Sequence, residues 1–461
     1  MISALATSLP DPTQTAMSAW WEILTFRSSH NTNVVLSGTA LLGVAAGAMG
    51  TFLLLRGRAL VADALSHAAL PGVCVAFLVA TALGSDGRSL AILLPGAALF
   101  GLLGVGVVQL LMTLPRVKED AAIGVVLSVF FALGVVLLSV IQKQPGGNSA
   151  GLNNFIFGQA ATMQAGDRRL IAVLAGVVLL ACMALYKEFR LLCFDRGFAR
   201  GMGYRTGLLD GVLLALLTIL TIAGLNAVGA ILMVALLIIP PAAARFWSDR
   251  LLVMIIIAAV VGGIGCFAGA SASAVIEHLP TGPAIVVACG SIFVVSLVAA
   301  PRRGLVAAGV RRLRVASTVA REHVLRALYE HGEIVNDDQA IASRTDLLAR
   351  RGWSDAHLRA ALRAAIRRRE VRAANGGWQL SPEGLAAART IVRGHRLWEY
   401  FLSTRAGIAP THVDRDADDI EHVLGEELVD QLEADLRARG ALPDGALVPR
   451  SVHTISPGGT H

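Results

Sequence analysis

The chain is poor in charge. Asp, Glu, Lys and Arg make up 16% of its 461 residues, against 55% hydrophobic, which excludes an ordinary soluble protein, where about a quarter of residues are charged. A nucleotide-binding P-loop is missing: GxxxxGK followed by Ser or Thr occurs nowhere, so ATP hydrolysis would have to come from a separate protein. Cysteines are scattered. Cys74, Cys182, Cys193, Cys266 and Cys289 lie in or beside apolar runs without metal-ligand spacing. They read as small core residues, not as a disulfide framework. The N-terminal residues show no basic start and no apolar core ending in a small-residue cleavage site. Their paired Trp20 and Trp21 suit a segment, 1–33, lying in a membrane interface.

The apolar residues are unevenly spread. Long uncharged runs reach to about 300, and Arg, Asp, Glu and His crowd the chain after 301, which predicts a membrane domain followed by a soluble one. A membrane helix needs roughly twenty apolar residues. The candidates are 34–55, 59–83, 89–113, 121–141, 168–186, 208–226, 228–246, 251–271 and 282–300, giving eight or nine spans over 34–304. Arg56 and Arg58, Arg116 and Lys118, the Lys187–Arg205 stretch, Arg245 and Arg250, and Arg302 and Arg303 fall on alternate loops. That side is expected to be cytoplasmic, with the soluble C-terminal part on it.

Two ionisable residues stand inside the second apolar run. Asp63 and His67 are four apart and share one helix face. Such groups are costly in a membrane segment. A carboxylate and an imidazole aimed at one point are half of a divalent-metal site. The residues alone leave a second reading open, a hydrogen-bonded pair that only locks helices. Later, KEFRLLCFDRGFARGMGYRT (187–206) mixes charge with Phe194, Phe198 and Met202, which predicts a short amphipathic helix on the cytoplasmic surface.

Four ordered blocks, DALSHAALPGV, FDRGFARGMGY, VGAILMVALLIIPPAAA and HLPTGPAIV, resemble the metal-type ABC importer permeases, which carry manganese, zinc or iron. The resemblance spans about 34–303. It implies that Asp63 and His67 line the translocation path and contact the metal. It implies that Asp195, Arg196, Phe198, Arg200 and Met202 belong to the segment gripping ABC ATPase subunits. Further partners would be an extracytoplasmic metal-binding protein and a second permease copy or a related permease.

The soluble part opens with a basic linker, 305–317, suited to anionic membrane lipid. Helices are expected over Thr318–His331, 339–350, Asp355–Arg369 (with Ser354 as N-cap) and from Pro382 to about Ser403. A hairpin wing is expected around Asn375-Gly376-Gly377. That is a winged helix-turn-helix over 318–386, followed by a helical region, 387–441, and a loose tail, 442–461. LSPEGLAAARTIVRGHRLWEYFL and DADDIEHVLGEELVDQLEADL resemble the iron-dependent repressors, the diphtheria toxin repressor and manganese transport regulator family. The resemblance implies a main metal site at His323, Asp418, Glu421 and His422, with His395, Glu399 and Asp414 at a second. Spacing adds that Asp418, Glu421 and His422 share one helix face, and this hard-donor set without thiolate suits Mn(II) or Fe(II). Arg326 stands where the manganese branch has a metal-binding acid. Arg359, Arg363 and Arg367 share a face of the candidate recognition helix, fit for DNA phosphates and bases or for an acidic protein surface.

The expected fold is thus an all-α polytopic membrane domain followed by a cytoplasmic winged helix-turn-helix and a helical metal-binding and dimerisation region. The expected protein is no enzyme but the permease subunit of a divalent-metal importer in a bacterial inner membrane, with manganese ahead of iron or zinc and a sensing domain that regulates transport. The alternative is a membrane-anchored, metal-dependent DNA-binding regulator.

Overall fold

The computed structural model describes residues 20–23, 25, 27–84, 90–143, 163–351, 353–374, 376–405, 426–438 and 449. The chain forms two compact units, Met1–Ala307 and Ala308–His461.

The first unit is helical. Helix α1 (His30–Leu55) starts at Ser29, whose hydroxyl accepts the Thr32 amide at 3.2 Å. Gly57, at φ +71°, turns the chain directly into α2 (Ala59–Ala82). There follow α3 (Leu90–Leu111), α4 (Glu119–Gln142), α5 (Ala165–Ala184), α6 (Tyr186–Phe194), α7 (Arg196–Gly201), α8 (Thr206–Val228), α9 (Ala230–Arg245), α10 (Leu251–Val275) and α11 (Thr281–Ala299). Each of the nine expected spans corresponds to one of these helices. Seven (α1, α2, α3, α4, α8, α10 and α11) are long and apolar enough to cross a membrane, and α5 with α6, bent by 69°, makes an eighth. Helix α9 has 16 residues, about 24 Å at 1.5 Å per residue, short of a hydrocarbon core of about 30 Å. It carries Pro240 and Pro241 within it, which leave backbone carbonyls to be satisfied by neighbours.

Glycine lets these helices meet backbone to backbone. A Cβ on Gly72 of α2 would lie 2.2 Å from the Gly96 carbonyl oxygen of α3, and one on Gly43 of α1 would lie 2.4 Å from that of Gly262 in α10. Helix α1 supplies much of the centre through Leu36, Leu42, Met49, Phe52 and Leu53, all fully buried. Phe52 meets Phe189 of α6 edge-on at 5.4 Å. On α3, α4 and α11 large apolar side chains such as Leu110, Val136 and Val295 face outward, as a lipid-exposed surface requires.

Helix α12 (Leu305–Val335), of which all but the first three residues lie in the second unit, is one helix of 31 residues. The expected linker over 305–317 is therefore helical: it contains no proline and is rich in Ala, Leu and Arg, all strong helix formers. Strand β1 (Ala342–Ser343) precedes α13 (Arg344–Arg351). That helix starts later than 339 because Ser343 and Asp346 cap it reciprocally, at 3.2 Å and 2.9 Å. Helix α14 (Asp355–Arg367) begins at Ser354, as expected. Strands β2 (Val371–Ala374) and β3 (Gly377–Leu380) form the wing, with Val371 opposite Leu380 and Ala374 opposite Gly377. Gly376 turns it at φ +84°. The sheet order is β1-β3-β2, all antiparallel. β1 is too short for its periodicity to be seen in sequence. Val324, Leu328, Leu347, Leu358, Leu362, Val371 and Leu380 form the core. Helix α15 (Pro382–Arg405) then packs on α16 (Glu426–Ala438) through Leu397 and Leu436.

Candidate functional site

Helix α2 is wedged between α3 and α4. From Val61 to Cys74 every residue is buried except Asp63 and His67. Their side chains are 36% and 30% exposed, and His67 Nε2 lies 3.3 Å from Asp63 Oδ1. Phe131 of α4 meets the imidazole edge-on at 4.8 Å. Over this stretch the chain thus covers the apolar side chains of the helix and leaves open a carboxylate and an imidazole pointing to one place. Among the described residues no group of three His, Cys, Asp or Glu side chains converges on a metal-sized point. Two donors are half of a four-coordinate shell.

Just before this pair the chain is tied down by charge. Asp210, the fifth residue of α8, has a side chain 4% exposed. It accepts Arg56 Nη2 at 2.9 and 3.0 Å, lies 3.4 Å from Arg58 Nη1 and 3.1 Å from Arg196 Nη2. Arg58 also pairs with Glu119, in the first turn of α4. Three guanidiniums and two carboxylates from the α1–α2 elbow, α4, α7 and α8 therefore meet at one end of the bundle. A buried charge requires such partners. Burial lowers the Arg196 pKa from its ordinary value, an effect the Asp210 carboxylate opposes; the guanidinium stays charged. Sequence reasoning used Arg56 and Arg58 only for orientation and did not single out Asp210. Its one signal was a lone acid near the start of an apolar helix.

The expected amphipathic segment is helical as α6 and α7. Asp195 is the N-cap of α7, accepting the Phe198 amide at 2.8 Å. Arg196 turns inward to Asp210, and Arg200 Nε donates to Thr206 Oγ1 at 3.1 Å. Ala199 is fully buried, whereas Phe194, Phe198 and Met202 are 63%, 57% and 60% exposed. Of the five residues expected to grip an ATPase, three therefore build or anchor the helix, and Phe198 and Met202 form its outer apolar face.

In the second unit His395 and Glu399 lie on α15, fully buried. Arg326 Nη1 is 2.9 Å from His395 Nδ1, and His395 Nε2 is 3.0 Å from Glu399 Oε1. A guanidinium only donates, so Nδ1 accepts and Nε2 carries the proton donated to Glu399. Arg326 thus already supplies a cation to this pair, and a metal bound there would have to displace it. These two side chains do not fit metal ligands as they stand. His323, half-buried, is on α12 one turn before Arg326. Asp414, Asp418, Glu421 and His422 lie outside the described residues. On α14, Arg359 pairs with Asp355 at 3.0 Å, and Arg363 and Arg367 line an open groove with Ala360 and Ile366.

Residues 29–300 match the ABC 3 transport family, and residues 381–450 match the iron dependent repressor, metal binding and dimerisation domain. The chain is 39% identical to the manganese transport system membrane protein MntC of Bacillus subtilis over 426 residues, 92% of this chain and 96% of that one. It is 42% identical to the zinc transport system membrane protein TroC of Treponema pallidum over 283 residues, 61% of this chain and 93% of that one. Among solved structures, PsaBC from Streptococcus pneumoniae in complex with Fab is similar with a TM-score of 0.54 at 30% identity, covering 62% of this chain and 97% of that one.

Proposed function

This chain belongs to the ABC 3 transport family, and from that premise we propose that it is the membrane-spanning subunit of an ATP-driven importer of a divalent metal ion, manganese ahead of iron or zinc. The observation that carries this is the open Asp63–His67 pair on an otherwise buried helix face. A carboxylate suits manganese, and an imidazole suits iron and zinc. The manganese transport relative aligns over nearly the whole chain, and the zinc transport relative keeps zinc as the alternative.

The working unit is a two-fold dimer, in which two copies of the pair face each other at the axis and complete the shell. ABC ATPase subunits bind on the cytoplasmic side at α7, and an extracytoplasmic metal-binding protein delivers the ion. The test is uptake by cells expressing the complete system, with radiolabelled Mn(II) competed by Fe(II) and Zn(II). Saturable Mn(II) accumulation, displaced weakly by the other two, is expected. Accumulation of none of the three would end the reading.

The repressor-like unit supports a regulatory role. Fused to a dimeric permease, two copies are held at an effective concentration in the millimolar range that short linkers give. Cytoplasmic metal bound by His323, Asp418, Glu421 and His422 favours one arrangement of the pair and restrains the ATPases, so imported metal limits its own import. The metal does this only through different affinities for the two arrangements. His395 and Glu399, with Arg326 against them, are left out of this set. With Mn(II) on the cytoplasmic side of proteoliposomes, ATPase activity is expected to drop about fivefold, within the usual range of such coupling. Deletion of 318–461 is expected to remove that inhibition. A deletion variant inhibited like the intact protein would refute the feedback, and tight binding of the unit to one DNA site would favour a DNA-binding regulator instead.

A further inference from the structure

We propose that Asp210 is the positioning residue that couples the ATPase-docking helix α7 to the metal pair on α2. The proposal rests on the reading of α7 as the docking helix. It is carried by the geometry of one carboxylate. Asp210 holds Arg196, the first residue of α7, and on its other side Arg56 and Arg58, which flank the α1–α2 elbow. Arg58 is the N-cap of α2, five residues before Asp63 and nine before His67.

The tie is rigid for physical reasons. Asp210 and Arg58 have side chains only 4% exposed, and Arg56 only 11%. Arg56 meets both carboxylate oxygens and Arg196 meets Oδ2, so neither oxygen is free to turn toward water. Arg56 Nη1 also donates to the Leu192 carbonyl of α6 at 3.4 Å. The cluster carries one more positive than negative charge. Without Asp210, the largely buried Arg56 and Arg58 would be left with Glu119 alone beside the half-exposed Arg196, and these like charges repel. A shift of α7 that carries Arg196 with it must therefore move Asp210 or break its pair with that buried carboxylate, the Arg196 side chain itself being 37% exposed. Moving Asp210 pulls on the elbow from which α2 begins. Contiguous charge networks between packed elements are one physical route by which two sites are coupled.

The test uses the complete transporter with its ATPase subunits in proteoliposomes, with metal-loaded binding protein on the outside. Asp210→Asn keeps the shape and removes the charge. It is expected to co-purify with the ATPase and keep basal hydrolysis. It is also expected to lose stimulation by the loaded binding protein, with metal uptake falling at least about fivefold, the lower end of ordinary coupling factors. Asp210→Glu, which keeps the carboxylate, is expected to restore stimulation and uptake. Where Asp210→Asn does not accumulate in the membrane, Arg58→Gln is read the same way, since it cuts the tie to the N-cap of α2 and leaves Arg56 and Arg196 on the carboxylate. Wild-type stimulation and uptake in the variant overturn the proposal. Loss of ATPase co-purification also overturns it, because Asp210 would then shape the docking surface and not link it to α2. Phe198→Asp separates the underlying reading: if that variant still co-purifies with the ATPase, α7 is not the docking helix, whatever Asp210→Asn does.

Discussion

Alanine at Asp63 or at His67 is expected to cut metal uptake at least about 100-fold, the upper end of what loss of a merely supporting residue costs a metal site. The fold should survive the change. Both side chains are about a third exposed and neither fills the core of the protomer. Alanine is the best helix former, so α2 keeps its register between α3 and α4. With Asp63 removed, His67 still has Phe131 against its ring. Membrane accumulation and co-purification with the ATPase are therefore expected at wild-type levels, which separates loss of the path from loss of the protein. If the pair only locked helices, its loss would lower stability and leave residual transport in proportion to the protein that accumulates. Undiminished uptake by the double alanine variant would contradict its role in the path.

Phe198→Asp is expected to abolish coupled transport by weakening ATPase docking. Phe198 and Met202 lie on the outer face of a helix whose inner face is fixed by Ala199 and by the Asp195 cap. An exposed aromatic on a pre-formed helix is the kind of anchor that carries interface energy, about 2 kcal/mol or more per truncated hot spot, or roughly thirtyfold in affinity. An aspartate adds the cost of burying a charge against the partner. Co-purification of the ATPase with the permease is the measurement. Phe198→Leu, which keeps an apolar contact, is expected to retain more of the complex than Phe198→Asp. Equal recovery with both variants and with wild type would place the contact elsewhere.

The long spans were legible because each needs only a run of apolar residues. Helix α9 was legible as apolar but not as short, since Pro240 and Pro241 look the same in a long span as in a 16-residue one. The start of α12 was hidden because a basic run reads equally as a linker and as an exposed helix. The spacing of Asp63 and His67 placed them on one face. That these two side chains are the ones left uncovered between Val61 and Cys74 depends on α3 and α4 packing around α2, which no local pattern encodes. The Asp210 knot was invisible for a similar reason: Arg56 and Asp210 are 154 residues apart. Arg326 stood out in the sequence as a departure. Its consequence required its partner His395, 69 residues away.

The most direct measurement is electron-spin-echo spectroscopy of Mn(II) bound to the purified permease, with histidine labelled with nitrogen-15. A coupling to histidine nitrogen that disappears in His67→Gln, together with weaker Mn(II) binding in Asp63→Asn, is the expected result. A Mn(II) signal whose nitrogen coupling is the same in wild type and in His67→Gln would contradict the assignment of this pair as the metal path.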